Sequence, residues 1–154
     1  MLDYRRIEAW SEADKLAVAV YDYTRAFPAE ERDGLVAEFR KAVRLVPTSI
    51  AKGSACEAIP DYLAFLHRAR CALIDVDYCL RLSIHLGYVD KEEQKVLKAL
   101  IRSTCRRLEK LLNRGLEETA KRSGTTDGTA ASVAKPTLAS APKGQPNSSA
   151  RHII

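Results

Sequence analysis

Across residues 1–122, apolar side chains recur every three or four positions and never settle into the two-residue alternation of a strand. A stripe with that period buries itself only when the segment coils into an α-helix and packs its apolar side on others of its kind. In the first such segment Ile7, Trp10, Ala13, Leu16, Ala17, Val20 and Tyr21 share one side, which makes Trp10 a packing anchor. Phe27-Pro28 breaks the pattern. Pro28-Ala29-Glu30-Glu31 then reads as the first turn of the next helix, with proline near N1 and acids at the positive end of the dipole. The second helix carries Leu35, Val36, Phe39, Ala42, Val43, Val46 and Ile50. Pro47 lies within it and is expected to kink or interrupt it, because the Val43 carbonyl loses its N–H partner. Gly53 and Ser54 end the segment.

A third helix is expected from near Pro60, through Tyr62, Leu63, Leu66, Ala69, Leu73, Val76, Leu80 and Ile84, to a left-handed C-cap at Gly87. Asp90 followed by Glu93 has capping-box spacing. Beyond it Leu97, Leu100, Ile101, Thr104, Leu108, Leu111 and Leu112 line one side of a fourth helix. Four amphipathic helices joined by short loops point to an all-α fold, an antiparallel up-down-up-down four-helix bundle.

The composition changes after Arg122. Residues 123–154 hold three of the six prolines, three of the seven glycines and no aromatic residue. Such a segment buries too little apolar surface to offset its ordering entropy, so a disordered basic tail is expected there, with Ile153-Ile154 a frayed end. Residues 1–122 then form one domain, large enough for its own core. No apolar run is long enough to cross a membrane, and the start of the chain does not read as a signal peptide. Cys56, Cys71, Cys79 and Cys105 are widely spaced, which is expected of reduced thiols in a cytoplasmic protein.

Motifs that carry chemistry are hard to find. There is no G-x-G-x-x-G, G-x-x-x-x-G-K, G-x-S-x-G or H-E-x-x-H sequence. A di-iron bundle needs Glu-x-x-His on two helices, and neither His67 nor His85 has an acid three residues before it. Asp75 and Asp77 are two apart and so face different directions on a helix. They are expected to form an ion-pair set packed between helices, with Asp77 reaching Arg81. No catalytic residue, metal site or cofactor is expected.

Charge says more. The net charge of +5 hides an asymmetry: residues 1–38 carry five basic and nine acidic residues, residues 39–122 seventeen and ten. On the fourth helix Lys91, Lys95, Lys98, Arg102, Arg106 and Lys110 fall in one stripe opposite the apolar side, interrupted only by Glu109. Arg40 and Arg44 make a second basic pair one turn apart. Like charges at successive i, i+4 positions repel by a few tenths of a kcal/mol each, and a polyanion relieves that repulsion. The residues expected to hold nucleic acid are therefore Arg40, Arg44, Lys95, Lys98, Arg102, Arg106 and Lys110. Two alternatives stay open: an ordinary solvated helix face, or a stripe that meets the acidic first helix of a second subunit through Glu8, Glu12 or Asp14.

Seven pieces in order carry a resemblance: Tyr4 with Trp10 and Ala13; Phe27-Pro28-Ala29-Glu30-Glu31-Arg32 with Gly34-Leu35; Arg40 with Ala42; Val46 to Gly53; Tyr62-Leu63-Ala64-Phe65-Leu66; Leu73-Ile74-Asp75-Val76-Asp77; and Leu86-Gly87-Tyr88-Val89-Asp90. Together, over about residues 4–116, the chain resembles the four-helix-bundle proteins first recognised as reading frames in 23S rRNA intervening sequences. It departs from that family's usual Pro-Ser-Asn-Ile-Ala-Glu-Gly at Ser49 and Lys52. The resemblance implies a cytoplasmic bacterial bundle without known catalysis, assembling as a homo-oligomer, a pentamer in the family. It also implies kinship with retroelement accessory proteins, which bind RNA and a reverse transcriptase.

Overall fold

In the computed structural model, residues 3–124 are described; the expected tail lies outside them from residue 125 on, whereas Ser123, expected to belong to it, is the last residue of α4 and Gly124 its C-cap. Four α-helices follow in order: α1 (Glu8–Tyr23), α2 (Leu35–Ser54), α3 (Ile59–His85) and α4 (Lys91–Ser123). Among the described residues there is no strand. Short 3-10 turns precede α1 (Tyr4–Arg6) and α2 (Ala29–Glu31).

Neighbouring helices in sequence are neighbours in space, α1 also lies against α4, and the two diagonal pairs do not approach. This ring of four fits the expected up-down-up-down course. The core is built where the apolar stripes meet: Leu16 and Val20 of α1, Phe39, Val43, Val46 and Ile50 of α2, Leu66, Val76 and Leu80 of α3, and Leu97 and Leu108 of α4 are almost fully enclosed. Each such side chain stabilises the fold by about 1.5–3 kcal/mol before entropy is counted. Thr104 is fully buried among them, and its hydroxyl finds no partner among the described residues.

Several local expectations are met in detail. Asp90 Oδ1 accepts from the N–H groups of Glu92 and Glu93 at 2.8 Å, and Glu93 Oε2 accepts from Asp90 N–H at 2.9 Å, completing the capping box. Gly87 has φ +76°, and the chain closes on α3 through Gly87 N–H to Ile84 O (3.1 Å) and Tyr88 N–H to Ser83 O (2.9 Å). That is a Schellman motif, and only glycine enters its left-handed position without strain.

Four details differ from expectation. Pro28-Ala29-Glu30-Glu31 does not start α2; it forms a separate 3-10 turn, and α2 begins after Gly34. The Glu31 carboxylate reaches forward instead, accepting from Leu35 N–H at 3.2 Å. Pro47 does not interrupt α2, which runs unbroken to Ser54. Just after the missing N–H, the Thr48 hydroxyl donates its one proton to Arg44 O (2.7 Å), with Leu45 O at 3.2 Å, beside the Val43 carbonyl that the proline leaves without its helical donor. Trp10 is half-buried, because Ala9 takes the fully buried position and Trp10 packs at its edge, T-shaped against Tyr4 with ring centroids 5.1 Å apart. Asp77 does pair with Arg81, at 2.9 Å, but the pair is on the surface and Asp75 is exposed, so these acids are not packed between helices.

Two glycines set the helix spacing at one end. A Cβ on Gly115 would lie 2.7 Å from Leu63 Cδ2, and one on Gly53 3.2 Å from Phe65 Cβ. The missing side chains let α4 and α2 close onto the start of α3.

Candidate nucleic-acid interface

The buried side of α4 is Leu97, Ile101, Thr104, Leu108, Leu112 and Gly115. At 100° per residue the opposite side is fixed by geometry, and it holds the basic stripe. Arg102, Arg106 and Lys110 are exposed and Lys98 is half-buried; none of these four makes an ion pair among the described residues. Lys95 is exposed too, but its Nζ lies 2.7 Å from Glu92 Oε1. Four cations without an ion pair among the described residues thus run down one side of the helix, with Glu109 between them.

The Arg40/Arg44 pair has another setting. Arg40 is half-buried: its Nε donates to Thr24 Oγ1 at 2.9 Å, one Nη donates to Tyr21 O at 3.4 Å, and the guanidinium sits 4.8 Å from the Tyr21 ring centroid. The arrangement combines hydrogen bonding with a cation–π interaction, and it ties α2 to α1. Arg44 is exposed, with Nε donating to Arg40 O at 3.2 Å. Because α2 and α4 occupy opposite corners, this pair and the α4 stripe do not form one patch.

Three cations outside the expected set converge elsewhere. Arg6, Arg107 and Arg114 line a cavity of about 740 Å³ together with Lys110. Arg107 and Arg114 are seven residues apart and so share a side of α4, about 100° round from Arg106 towards α1. Their shared face was legible; that α1 and the preceding Arg6 meet it depends on how the helices pack. Arg107 Nε lies 3.6 Å from Glu8 Oε2, and an Arg107 Nη donates to Ser103 Oγ at 3.2 Å.

The acids of α1 are largely occupied within the chain. Glu8 faces Arg107, and Glu12 pairs with Lys15 at 2.9 Å. The hydrogen bond from Lys15, aided by Ser103 and Arg107, holds the Glu12 carboxyl below its ordinary pKa. His67 and His85 are exposed, and the four cysteines are unpaired. Burial pushes the Cys79 and Cys105 thiols up, so both stay protonated at neutral pH. Among the described residues no three His, Cys, Asp or Glu side chains come together as metal ligands, and no helix is long and apolar enough to cross a membrane.

Fold and surface together define a small four-helix protein in which Lys98, Arg102, Arg106 and Lys110 of α4 are in no ion pair among the described residues. A family profile described as 23S rRNA-intervening sequence protein matches residues 5–110, from the turn before α1 to past the middle of α4, and the chain belongs to that family. No curated protein matches it.

Proposed function

We propose that this chain is a non-enzymatic, homo-oligomeric bundle that binds RNA through the cationic side of α4. The observation that carries the reading is the set Lys98, Arg102, Arg106 and Lys110, which repel one another at one-turn spacing and have no acidic partner among the described residues. Phosphates satisfy such a row with little sequence readout, and arginine grips them bidentately. The competing use of this row, docking against the acidic α1 of a second subunit, has fewer free acids to draw on, because Glu8 and Glu12 already face partners in their own chain and only the exposed Asp14 of the three is in no ion pair among the described residues.

Self-association has separate support. Ile74 and Tyr78 are about two-thirds exposed and one turn apart on α3, and Tyr78 borders a groove that Leu35, Ala42 and Leu45 of α2 line together with the charged Glu31, Glu38, Lys41 and Asp75. Large apolar side chains grouped in this way mark an interaction surface.

The test is a salt titration on a labelled structured RNA, with sedimentation run in parallel. Changing Arg102→Gln with Arg106→Gln is expected to keep the melting temperature and weaken RNA binding across sequences. The salt slope becomes shallower by about 0.7–0.9 for each phosphate that is no longer neutralised. Wild-type protein with no salt-dependent affinity, or a double variant that binds as well as wild type, overturns the reading. A variant that instead shifts to smaller assemblies assigns the stripe to the subunit interface.

A further inference from the structure

The two ends of the bundle treat their helix N-termini differently. Those of α2 and α4 receive side-chain acceptors from Glu31 and Asp90. Those of α1 and α3, at the other end, have no side-chain cap. The α1 terminus, Ile7 to Ala9, forms part of the wall of the 740 Å³ cavity. First-turn N–H groups without acceptors carry partial positive charge and point at whatever fills the space before them.

The same cavity gathers Arg6, Arg107, Lys110 and Arg114 against two acids, Glu8 and Glu118. Arg107 Nε is buried and makes no hydrogen bond among the described residues, where Glu8 Oε2 stands 3.6 Å away. The guanidinium is ion-paired with Glu8 and donates from Nη to Ser103, so one N–H is left over for which an anion in the cavity supplies an acceptor. Tyr62, half-buried, adds a phenol and a ring face. Burial pushes its pKa up, so the hydroxyl remains a neutral donor.

We infer that this cavity is a binding site for a phosphate chain or terminal phosphate, carried by a free nucleotide or by the end of an RNA. A surplus of cations, an Arg107 Nε–H without a hydrogen bond among the described residues and an uncapped 16-residue helix converge on one space. Its volume lies in the range that encloses a nucleotide-sized ligand. The site goes beyond the α4 stripe, since only Lys110 belongs to both.

The experiment uses the full chain and three probes: inorganic pyrophosphate, ATP, and one short RNA made with a 5′-phosphate or a 5′-hydroxyl. Calorimetric titration is expected to show saturable pyrophosphate binding, and pyrophosphate is expected to raise the melting temperature. Arg114→Gln, an exposed change, should weaken pyrophosphate at least tenfold. Arg107→Lys, which keeps the charge but loses the guanidinium fork, should weaken it less than Arg107→Gln does. A tenfold preference for 5′-phosphate over 5′-hydroxyl RNA assigns the RNA end as the source, whereas ATP binding without that preference assigns the free nucleotide. The inference is overturned if no phosphate probe saturates up to millimolar concentration. It is equally overturned if pyrophosphate binds Arg114→Gln and Arg107→Gln proteins as it binds wild type. The Arg102→Gln/Arg106→Gln protein, changed only outside the cavity, is expected to bind pyrophosphate as wild type does, so failure here and failure to bind structured RNA are separable.

Discussion

The two ends of this bundle are built on different terms. At one, the Asp90/Glu93 box, the Schellman turn at Gly87 and the Glu31 carboxylate satisfy the helix termini. Phe27 packs on Tyr88 there at 5.3 Å between ring centroids, and the Tyr88 hydroxyl donates to Glu31 at 3.3 Å. At the other end, α1 and α3 start without side-chain caps, and cations surround a cavity. Closing an end with caps and rings contributes stability. An end left with free donors gives up some of that stability and keeps a place where an anion can bind. Structure and recognition are therefore divided along the bundle axis.

That contrast can be broken most sharply by removing one aromatic from each end. Phe27 is 8% exposed, so Phe27→Ala is expected to cost about 3–4 kcal/mol in denaturant unfolding. Half-buried Trp10 sits at the open end, and Trp10→Ala should cost about 2 kcal/mol. Equal losses would show that both ends carry the same structural weight. At the next level, Asp90→Ala removes the capping box and should lower stability by about 1 kcal/mol. A variant that melts with wild type would mean that α4 is held by packing alone.

Between the ends, Thr104→Val keeps the shape of a fully buried residue and deletes its unpartnered hydroxyl. It should therefore raise stability by up to about 1 kcal/mol, measured by the same unfolding curves. A loss would reveal a hydrogen bond to the Thr104 hydroxyl. The smallest effect concerns pH at the α1–α4 seam. The Glu12 carboxyl is held below its ordinary value of 4.5, chiefly by Lys15, so its contribution is present above that value. It is lost as the pH falls through the lower, folded-state value. Glu12→Gln should narrow the stability difference between neutral and acid solution; an unchanged difference would show that other carboxylates carry it.

The comparison of ends also separates two kinds of legibility. Helix number, the apolar stripes, the Asp90/Glu93 box and the Gly87 turn were readable in the chain, because each depends on residues within one or two turns of one another. The 3-10 turn at Ala29–Glu31 was not, since Pro-x-Glu-Glu suits a helix start equally well. There, Glu31 serves as a forward cap to Leu35. Trp10 shares a stripe with buried residues, yet Ala9, one position away, occupies the tighter place. Periodicity locates a face to within about one residue, and packing against α4 decides which side chain it encloses.

The candidate site divides in the same way. The α4 stripe was visible because Lys98, Arg102, Arg106 and Lys110 repeat with the helical period on the side away from the leucines. Arg40 looked like Arg44 in the chain, but the helix crossing brings Tyr21 and Thr24 under it and turns it into a clamp between α1 and α2. Arg6 and Arg107 are about a hundred positions apart, and they share a cavity only because α1 lies against α4. Local period and capping chemistry sufficed for the four helices and their cationic side. Which charges are spent on neighbours and which gather unspent at one end was settled by packing, since those distances are set by helices far apart in sequence.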